Sequence, residues 1–228
     1  MMNLKKVLAL LVIMFIGSFA AYADTIPEQI IADAISSVKE MSAEEDAWST
    51  AETLRGSYAV ALVPSMVKAG LLLGGTYGEG LVLRREGGKW YGPSFYNLGG
   101  ASFGLQIGAQ EVSLLLAVIN QRGVEAFMHS KTKLGGDVGV AAGPVGRRAE
   151  AATDGRVKAS IYSYSMSKGL FAGVSLDGSV ISISVKRNKE YWGGSVSAEE
   201  ALKKPANDKR IQPLIKALED LMKIKKKD

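Results

Sequence analysis

The sequence contains no cysteine and one histidine, His129. Disulfide bonds and thiol catalysis are therefore excluded, and a metal cluster made of histidine and cysteine ligands cannot be assembled. A Ser-His-Asp triad would have to use His129, whose neighbours Met128 and Ser130 lie in a short segment with a helical pattern. We interpret His129 as a structural histidine and expect the stability of the protein to come from packing alone.

The glycine-rich stretches lack the signatures of phosphate-binding loops. No segment matches GxxxxGK[ST], and the GTYGEG run at Gly75–Gly80 lacks the GxGxxG order of a dinucleotide-binding turn. The run GPVGRR at 143–148 is compatible with a backbone anion nest, although a turn with two solvated arginines is the favoured interpretation. The acids, including Glu79 and Glu111, lack the spacing signature of a glycosidase pair. These patterns predict a binding protein that is not an enzyme and needs no cofactor.

A long apolar run occurs at the start of the chain. Lys5 and Lys6 precede the apolar stretch Val7–Ile16, and Ala21-Tyr22-Ala23 offers small residues where signal peptidase reads. The stretch is about half the roughly twenty residues that a spanning helix needs. No cysteine stands at the cleavage site for lipidation. We therefore expect residues 1–23 to be a cleaved signal peptide and the protein to be exported, periplasmic, and soluble or peripheral to a membrane.

Charge argues against one class of partner. The net charge falls from +5 to +3 once Lys5 and Lys6 leave with the signal peptide. That excess is too weak to indicate nucleic acid, which we do not expect as a partner. The remaining chain of about 200 residues fits one domain, and its hydrophobic share of 47% supports an ordinary core.

Helical periodicity marks both ends of the remaining chain. Apolar residues recur at helical spacing from Ile26 to Met41, and Ser42 with Glu45 resembles a capping box that starts a second helix. A shorter helical pattern lies between two strand-like runs near the middle. The predicted helices are Ile26–Met41, Ala43–Leu54, Gly123–Ser130, Ser197–Lys204 and Lys209–Met222.

The centre of the chain has the pattern of strands. Short apolar or alternating runs punctuated by glycine begin at Tyr58. Further strands are predicted at Asp137–Ala142, Arg156–Met166, Leu170–Leu176 and Val180–Lys186. After the signal peptide we therefore predict an N-terminal helical segment at 24–56, a β-rich core at 57–196, and C-terminal helices with a basic tail at 197–228.

Glycine is concentrated in one part of this centre. Twelve of the 26 glycines lie between Gly70 and Gly108. The spacing Gly100, Gly104, Gly108 places all three on one face of a strand, and the same spacing would also suit a glycine-zipper helix. Neighbouring aromatic residues favour the strand. We predict an α+β fold with a curved, mostly antiparallel, glycine-rich sheet, a partly closed barrel or sandwich flanked by helices.

Five blocks in one order resemble the SYLF domain family. They lie within about Leu54–Gly194 and are GSYAVALVPSMVKAGLLLGGTYGEGLVLRR, WYGPSFYNLGGASFGLQIGAQ, LGGDVGVAAGPVGRRAEAATDG, YSYSMSKGLFAGVSLDGSVI and NKEYWGG. The resemblance implies a non-enzymatic lipid-binding domain. Eukaryotic members recognise phosphoinositides, some fungal members also bind and bundle actin, and bacterial members are mostly exported lipid-binding proteins.

Two departures from the family modify what the resemblance implies. The eukaryotic lipid contact is attributed to an amphipathic helix with a basic polar face, whereas Ile26–Met41 carries three acids and one base, Lys39. We therefore expect this helix to pack on the domain, because an anionic membrane attracts lysine and arginine. An exported bacterial protein would also meet neither actin nor much phosphoinositide, so we expect actin not to be a partner.

The sequence thus predicts an exported lipid-binding module that contacts phospholipid head groups of the bacterial envelope. Its expected partner is an anionic phospholipid or membrane surface. The alternative is a structural or assembly protein of the envelope, which self-associates as a homo-oligomer or binds an envelope protein. The candidate lipid contacts must share one face of the protein to act together. The alternative for each of them is a solvated basic residue that is scattered over the surface and contacts no lipid. They are Arg84, Arg85, Lys131, Lys133, Arg147, Arg148, Lys186 and Arg187.

Overall fold

The computed structural model describes residues 26–144, 159–167, 170–173 and 176–226. The predicted signal peptide lies outside these ranges. The helices within them are α1 (Pro27–Ala43), α2 (Ala47–Arg55), α3 (Gln121–Glu125), α4 (Val185–Trp192), α5 (Ala198–Ala201) and α6 (Gln212–Met222). The strands are β1 (Ala59–Glu86), β2 (Lys89–Val118), β3 (Lys131–Lys133), β4 (Val140–Ala142), β5 (Ile161–Ser167), β6 (Leu170–Gly173) and β7 (Val180–Ile183).

The N-terminal helix forms where the apolar stripe predicts it. The Ser42 hydroxyl donates to the Val38 carbonyl oxygen inside α1, at 2.7 Å, and so does not cap a second helix. The predicted capping box is therefore wrong, and α2 begins later than expected, at Ala47. The buried stripe of α1 includes Ile30, Ile31, Ala34, Val38 and Met41.

β1 and β2 are the arms of one long antiparallel hairpin. The ladder runs from the pair Ala59–Val118 to a two-residue turn at Gly87 and Gly88. These two glycines have φ values of 56° and 78°, the left-handed backbone that such a hairpin turn requires. Residues 100–108 lie within β2, so the bent-strand interpretation is confirmed and the glycine-zipper helix is wrong.

The hairpin curls until β1 touches itself. A straight strand of this length would extend about 90 Å, whereas a domain of this size has a radius of gyration of roughly 16 Å. A Cβ atom on Gly78 would lie 2.5 Å from Cγ1 of Val63, and one on Gly80 would overlap the Leu62 carbonyl oxygen. Glycine at these two positions therefore permits the close approach of the two halves of β1.

Among the described residues, β2 is the central strand of a sheet of seven strands. β5 pairs with its C-terminal part and β7 with its middle, both antiparallel. β3 pairs with β7 at one edge, while β4 and β6 flank β5, with β4 parallel to it. The sheet is therefore mixed and mostly antiparallel, which confirms the predicted α+β class.

One predicted strand proves to be half helix. β7 ends at Ile183, although the strand was predicted to run from Val180 to Lys186. The Ser184 hydroxyl oxygen accepts a hydrogen bond from the Arg187 backbone N–H and so caps α4. The sequence pattern did not predict α4, because the first residues of this helix continue the apolar alternation of β7.

Both faces of the curled sheet carry buried apolar residues in the part of the chain whose side chains are described. The convex face packs against α1, α2 and α6, and the concave face packs against the segment around α3. The rings of Tyr96 and Phe127 meet edge to face in the concave core, 5.1 Å apart. Over the described ranges, no helix combines the length and the apolar character needed to cross a membrane.

Candidate anion-binding cleft

An open cleft lies where the two ends of β1 meet the end of α2. Its walls include Arg55, Tyr58, Arg84, Arg85, Gln121 and one acid, Glu86, and its volume is about 320 Å³. The Arg85 backbone N–H donates to the Tyr58 carbonyl oxygen at 2.7 Å. The curl of β1 therefore brings residues that are far apart in sequence into one site, which we call the arginine cleft.

Arg55 stands at the last residue of α2, beside the cleft. Its Nη1 donates to the carbonyl oxygens of Met222 at 2.9 Å and Ile224 at 3.2 Å. Its charge also lies favourably at the negative end of the helix dipole. Because the two acceptors are neutral, they position the guanidinium without cancelling its charge.

Arg85 is held in a similar way. Its Nη1 donates to the Arg55 carbonyl oxygen at 3.2 Å, and its guanidinium lies 5.8 Å from the centre of the Trp90 ring. Across the described part of the chain, no carboxylate forms an ion pair with Arg55 or Arg85. These two guanidinium groups thus retain the charge needed to attract an anion.

Arg84 is more fully engaged. Its Nη1 lies 3.0 Å from Oε2 of Glu86, and its Nε donates to the Leu202 carbonyl oxygen at 2.9 Å. Its guanidinium also lies 4.5 Å from the centre of the Tyr91 ring. Glu86 therefore compensates part of the charge of Arg84, and Arg55 and Arg85 are the stronger anion ligands.

Arg187 is removed from the candidate contacts because it is interior. Its side chain is 4% exposed, and its guanidinium lies 3.4 Å from a Glu79 carboxylate oxygen and 3.0 Å from one of Glu190. The ion pair with Glu79 joins α4 to β1. A side chain held in this way does not reach a membrane surface.

The remaining described candidates lie outside the arginine cleft. Lys131 and Lys133 are exposed on the edge strand β3, and Lys186 is exposed in the first turn of α4. Arg147 and Arg148 lie outside the described residues. Of the eight predicted contacts, Arg84 and Arg85 are the pair that the described structure brings together in the arginine cleft.

A second cleft, of about 330 Å³, lies on the other side of α3. Its lining mixes both charges, with Arg122, His129 and Lys131 near Glu125 and Asp137. Arg122 Nη2 donates to the Asp137 carbonyl oxygen at 2.9 Å. With two acids among its bases, this cleft favours an anion less than the arginine cleft does, where one acid, Glu86, lies among three arginines. No metal-binding group of three or more acidic, histidine or cysteine residues occurs in the described ranges.

A cluster of charged residues around Arg210 lies away from both clefts. Hydrogen bonds from Arg210 hold the pKa of Asp208 below its usual range. Arg210 also pairs with Glu28 at 2.7 Å, and burial raises the pKa of the nearby Tyr191. This cluster ties α1 and α4 to the start of α6, so we assign it a structural role.

Sequence reasoning missed Arg55, Tyr58 and Gln121 as cleft residues. One local signal for Arg55 was available in the sequence. Arg55-Gly56 ends a predicted helix directly before the first predicted strand. Basic residues at such a junction lie at a sheet end, where loops and helix ends gather. The acceptors that position Arg55 lie 167 and 169 residues away and left no sequence signal.

The curled sheet and its arginine cleft define a binding module built around a glycine-rich hairpin. A family model described as "Ysc84: Las17-binding protein actin regulator" matches residues 99–221, which is more than half of the chain. The chain belongs to this family, and the resemblance to SYLF domains is thereby confirmed.

Relatives of known name match the chain at 34–39% identity. LAS seventeen-binding protein 3 of Saccharomyces cerevisiae is 34% identical over 173 residues, covering 74% of this chain and 38% of that protein. SH3 domain-containing YSC84-like protein 1 of Mus musculus is 39% identical over 143 residues, covering 61% and 42%. Protein YSC84 of Saccharomyces cerevisiae is 36% identical over 165 residues, covering 68% and 34%. The chain thus spans 34–42% of the length of these relatives.

These comparisons agree with one prediction and overturn another. The family is described as an actin regulator and not as an enzyme family, which is consistent with a non-enzymatic binding module. The expectation that actin is not a partner is wrong, because the family and its relatives are named for actin regulation and for binding Las seventeen. Protein partners linked to the actin cytoskeleton must therefore be considered.

Proposed function

We propose that this chain is a non-enzymatic module whose arginine cleft binds the phosphate of anionic phospholipid head groups. The observation that carries the proposal is that Arg55 and Arg85 line one cleft and that each guanidinium is held by neutral carbonyl oxygens. Guanidinium groups match phosphate oxygens in a forked, bidentate geometry. Tyr58, which is 50% exposed at the same cleft, supplies an aromatic ring of the kind that suits a boundary between water and lipid.

The proposed location follows from the sequence. Residues 1–23 have the three-part pattern of a signal peptide, which supports export to the periplasm and a peripheral position on a membrane. Phospholipid of the bacterial envelope would then be the anionic surface within reach. The polar face of α1 is acidic, and an anionic surface repels carboxylates. This supports the arginine cleft, and not the N-terminal helix, as the part of the protein that contacts the membrane.

Vesicle flotation tests the lipid proposal. The purified protein should float with phosphatidylglycerol vesicles at low salt and remain behind with neutral phosphatidylcholine vesicles. The double variant Arg55→Gln/Arg85→Gln should lose about 30-fold in affinity, since each basic residue near an anionic surface contributes about 1 kcal/mol. The double variant Lys186→Gln/Lys189→Gln, with two exposed lysines of α4 replaced, is a control with the same loss of charge.

Two results would contradict the proposal. If the wild-type protein does not float with phosphatidylglycerol vesicles at low salt, lipid binding is rejected. If the α4 control loses as much affinity as R55Q/R85Q, the attraction depends on net charge and not on the cleft. Arg55 and Arg85 also donate hydrogen bonds to backbone carbonyl oxygens, and losing each should cost about 1 kcal/mol of stability. Urea denaturation of R55Q/R85Q therefore accompanies the flotation assay and checks that the variant is folded.

A second candidate function is binding to a protein of the actin machinery. The family description and the names of the relatives favour it. Co-sedimentation with actin filaments tests it, with R55Q/R85Q as the variant. Filament binding by the wild type without vesicle binding would favour this candidate. Light scattering tests self-association, since a stable oligomer indifferent to vesicles would favour an assembly role instead.

A further inference from the structure

We propose that the second cleft, beside α3, binds a small zwitterionic group in which a phosphodiester is joined to a primary ammonium. The two charges of such a group match a site that carries bases and acids together. This site is separate from the arginine cleft, because no residue lines both. Only the choice of a phospholipid head group as the source of the ligand rests on the proposed function.

The second cleft carries two cations and two carboxylates. Arg122 and Lys131 supply the cations, and Glu125 and Asp137 supply the carboxylates, around a volume of about 330 Å³. His129, also in the lining, offers ring nitrogens for hydrogen bonds. As far as the structure is described, none of the four charged side chains forms an ion pair with another. A ligand with a single charge would leave the opposite pair unmatched, whereas a zwitterion can contact both.

Backbone groups hold these charges apart. Arg122 and Glu125 lie three residues apart in α3, a spacing at which opposite charges commonly pair. Instead, Arg122 Nη2 donates to the Asp137 carbonyl oxygen at 2.9 Å, and Asp137 Oδ2 accepts from the Lys133 backbone N–H at 2.7 Å. Arg122 is therefore positioned by a neutral acceptor and retains its charge. Glu125 is exposed, and its carboxylate makes no hydrogen bond to another described residue.

These contacts assign the two ends of the ligand. The phosphodiester is assigned to Arg122 and Lys131, because a guanidinium group matches phosphate oxygens in a bidentate geometry. The ammonium is assigned to Glu125, since its carboxylate can accept the N–H donors of a primary ammonium. The volume of the cleft lies at the lower end of the range for small-molecule sites, which suits a ligand of head-group size.

A phospholipid is the source that the neighbouring cleft favours. α3 forms a wall of both clefts, because Gln121 and Val124 line the arginine cleft while Arg122 and Glu125 line the second one. A membrane that reaches the arginine cleft is therefore close to the second cleft. Ethanolamine head groups in that membrane carry the phosphodiester and the primary ammonium together.

Amide NMR titration of the full protein with glycerophosphoethanolamine tests the site. Residues 122–138 should shift, and Glu125→Gln should lower the affinity about tenfold, because the charge-assisted hydrogen bond to the ammonium is lost. Glycerophosphoglycerol has the phosphodiester without the ammonium and should bind E125Q at least as well as the wild type. Lys131→Gln should weaken the binding of both compounds. The control Glu40→Gln removes the same charge as E125Q from an exposed position of α1 and should change neither affinity.

Three results would overturn the site: no shift of these amides with glycerophosphoethanolamine, an equal loss in E125Q and E40Q, or an equal loss of both compounds in E125Q. Nanodiscs containing phosphatidylethanolamine identify the source. Shifts of the same amides assign the ligand to a lipid, whereas a response to the soluble compound alone supports the site and assigns the ligand to a free molecule. Failure of the proposed function is seen separately, as absent flotation with phosphatidylglycerol vesicles.

Discussion

At the scale of single residues, Asn188 connects α4 to the sheet. It is fully buried, its Oδ1 accepts from the Phe95 backbone N–H at 2.9 Å, and its Nδ2 donates to the Phe95 and Ser184 carbonyl oxygens at 3.1 Å each. Both carbonyl oxygens have a further backbone donor. The Phe95 N–H is therefore the group that depends most on Asn188.

Replacing Asn188 by alanine should lower the free energy of unfolding by about 2 kcal/mol, since a buried donor left unpaired costs about 1–3 kcal/mol. Urea denaturation measures the loss. Lys189→Ala, one residue further along and exposed, should stay within about 0.5 kcal/mol of the wild type. Equal stabilities for the two variants would contradict this role for Asn188.

Asp208 should make the stability of the protein depend on pH. Its pKa is lowered in the folded state by hydrogen bonds from Arg210, so its contribution is complete above the unfolded value of about 4. The contribution disappears as the pH falls through the lower folded value. Asp208→Asn should therefore be less stable than the wild type at pH 7, with the difference shrinking below about pH 4. Denaturant unfolding across this range measures it, and a difference unchanged at pH 3 would refute the assignment.

At the scale of elements, the curled β1–β2 hairpin organises the molecule. Its curl closes β1 against itself at Gly78 and Gly80, and the same curl brings Tyr58 beside Arg85 in the cleft. The shape of the hairpin and the position of the candidate site are thus consequences of one feature. A substitution that opens the curl should affect both.

Gly80→Ala tests the closure of the hairpin. The new Cβ would overlap the Leu62 carbonyl oxygen and lie 3.1 Å from Cζ of Tyr96. Overpacking of this kind costs about 1–3 kcal/mol, which chemical denaturation would detect. Gly194→Ala is the matched control, because its Cβ would meet no atom within 4 Å. A Gly80→Ala protein as stable as this control would show that β1 does not close as described.

The hairpin also shows which features of the fold could be predicted from the sequence. The density of glycine predicted a curved sheet, because glycine in a strand interior has no side chain to pack and often marks a bend. The contact between Gly80 and Leu62 could not be predicted, since it depends on how sharply β1 curls. The burial of Arg187 was hidden for a similar reason, because its partner Glu79 lies 108 residues earlier. Local patterns predicted most of the elements, with α4 the exception, and long-range packing decided which charged residues remain at the surface.

At the scale of the whole molecule, the family and the fold describe a binding module, and the surface chemistry selects its partner. Buried apolar clusters cover both faces over much of the described part of the sheet, which leaves clefts, helix faces and edges as candidate recognition surfaces. Among the described residues, the arginine cleft combines open space with guanidinium charges held by neutral acceptors. The central claim is that this face meets an anionic membrane.

Amide chemical shifts provide the most direct measurement of this claim. The isotope-labelled protein would be titrated with nanodiscs containing phosphatidylglycerol, and with phosphatidylcholine nanodiscs as the control. The account predicts selective shifts or broadening at residues 55–58 and 84–87, which line the cleft, with the anionic nanodiscs. Perturbations confined to α4 and β3, or equal effects with the neutral nanodiscs, would contradict it.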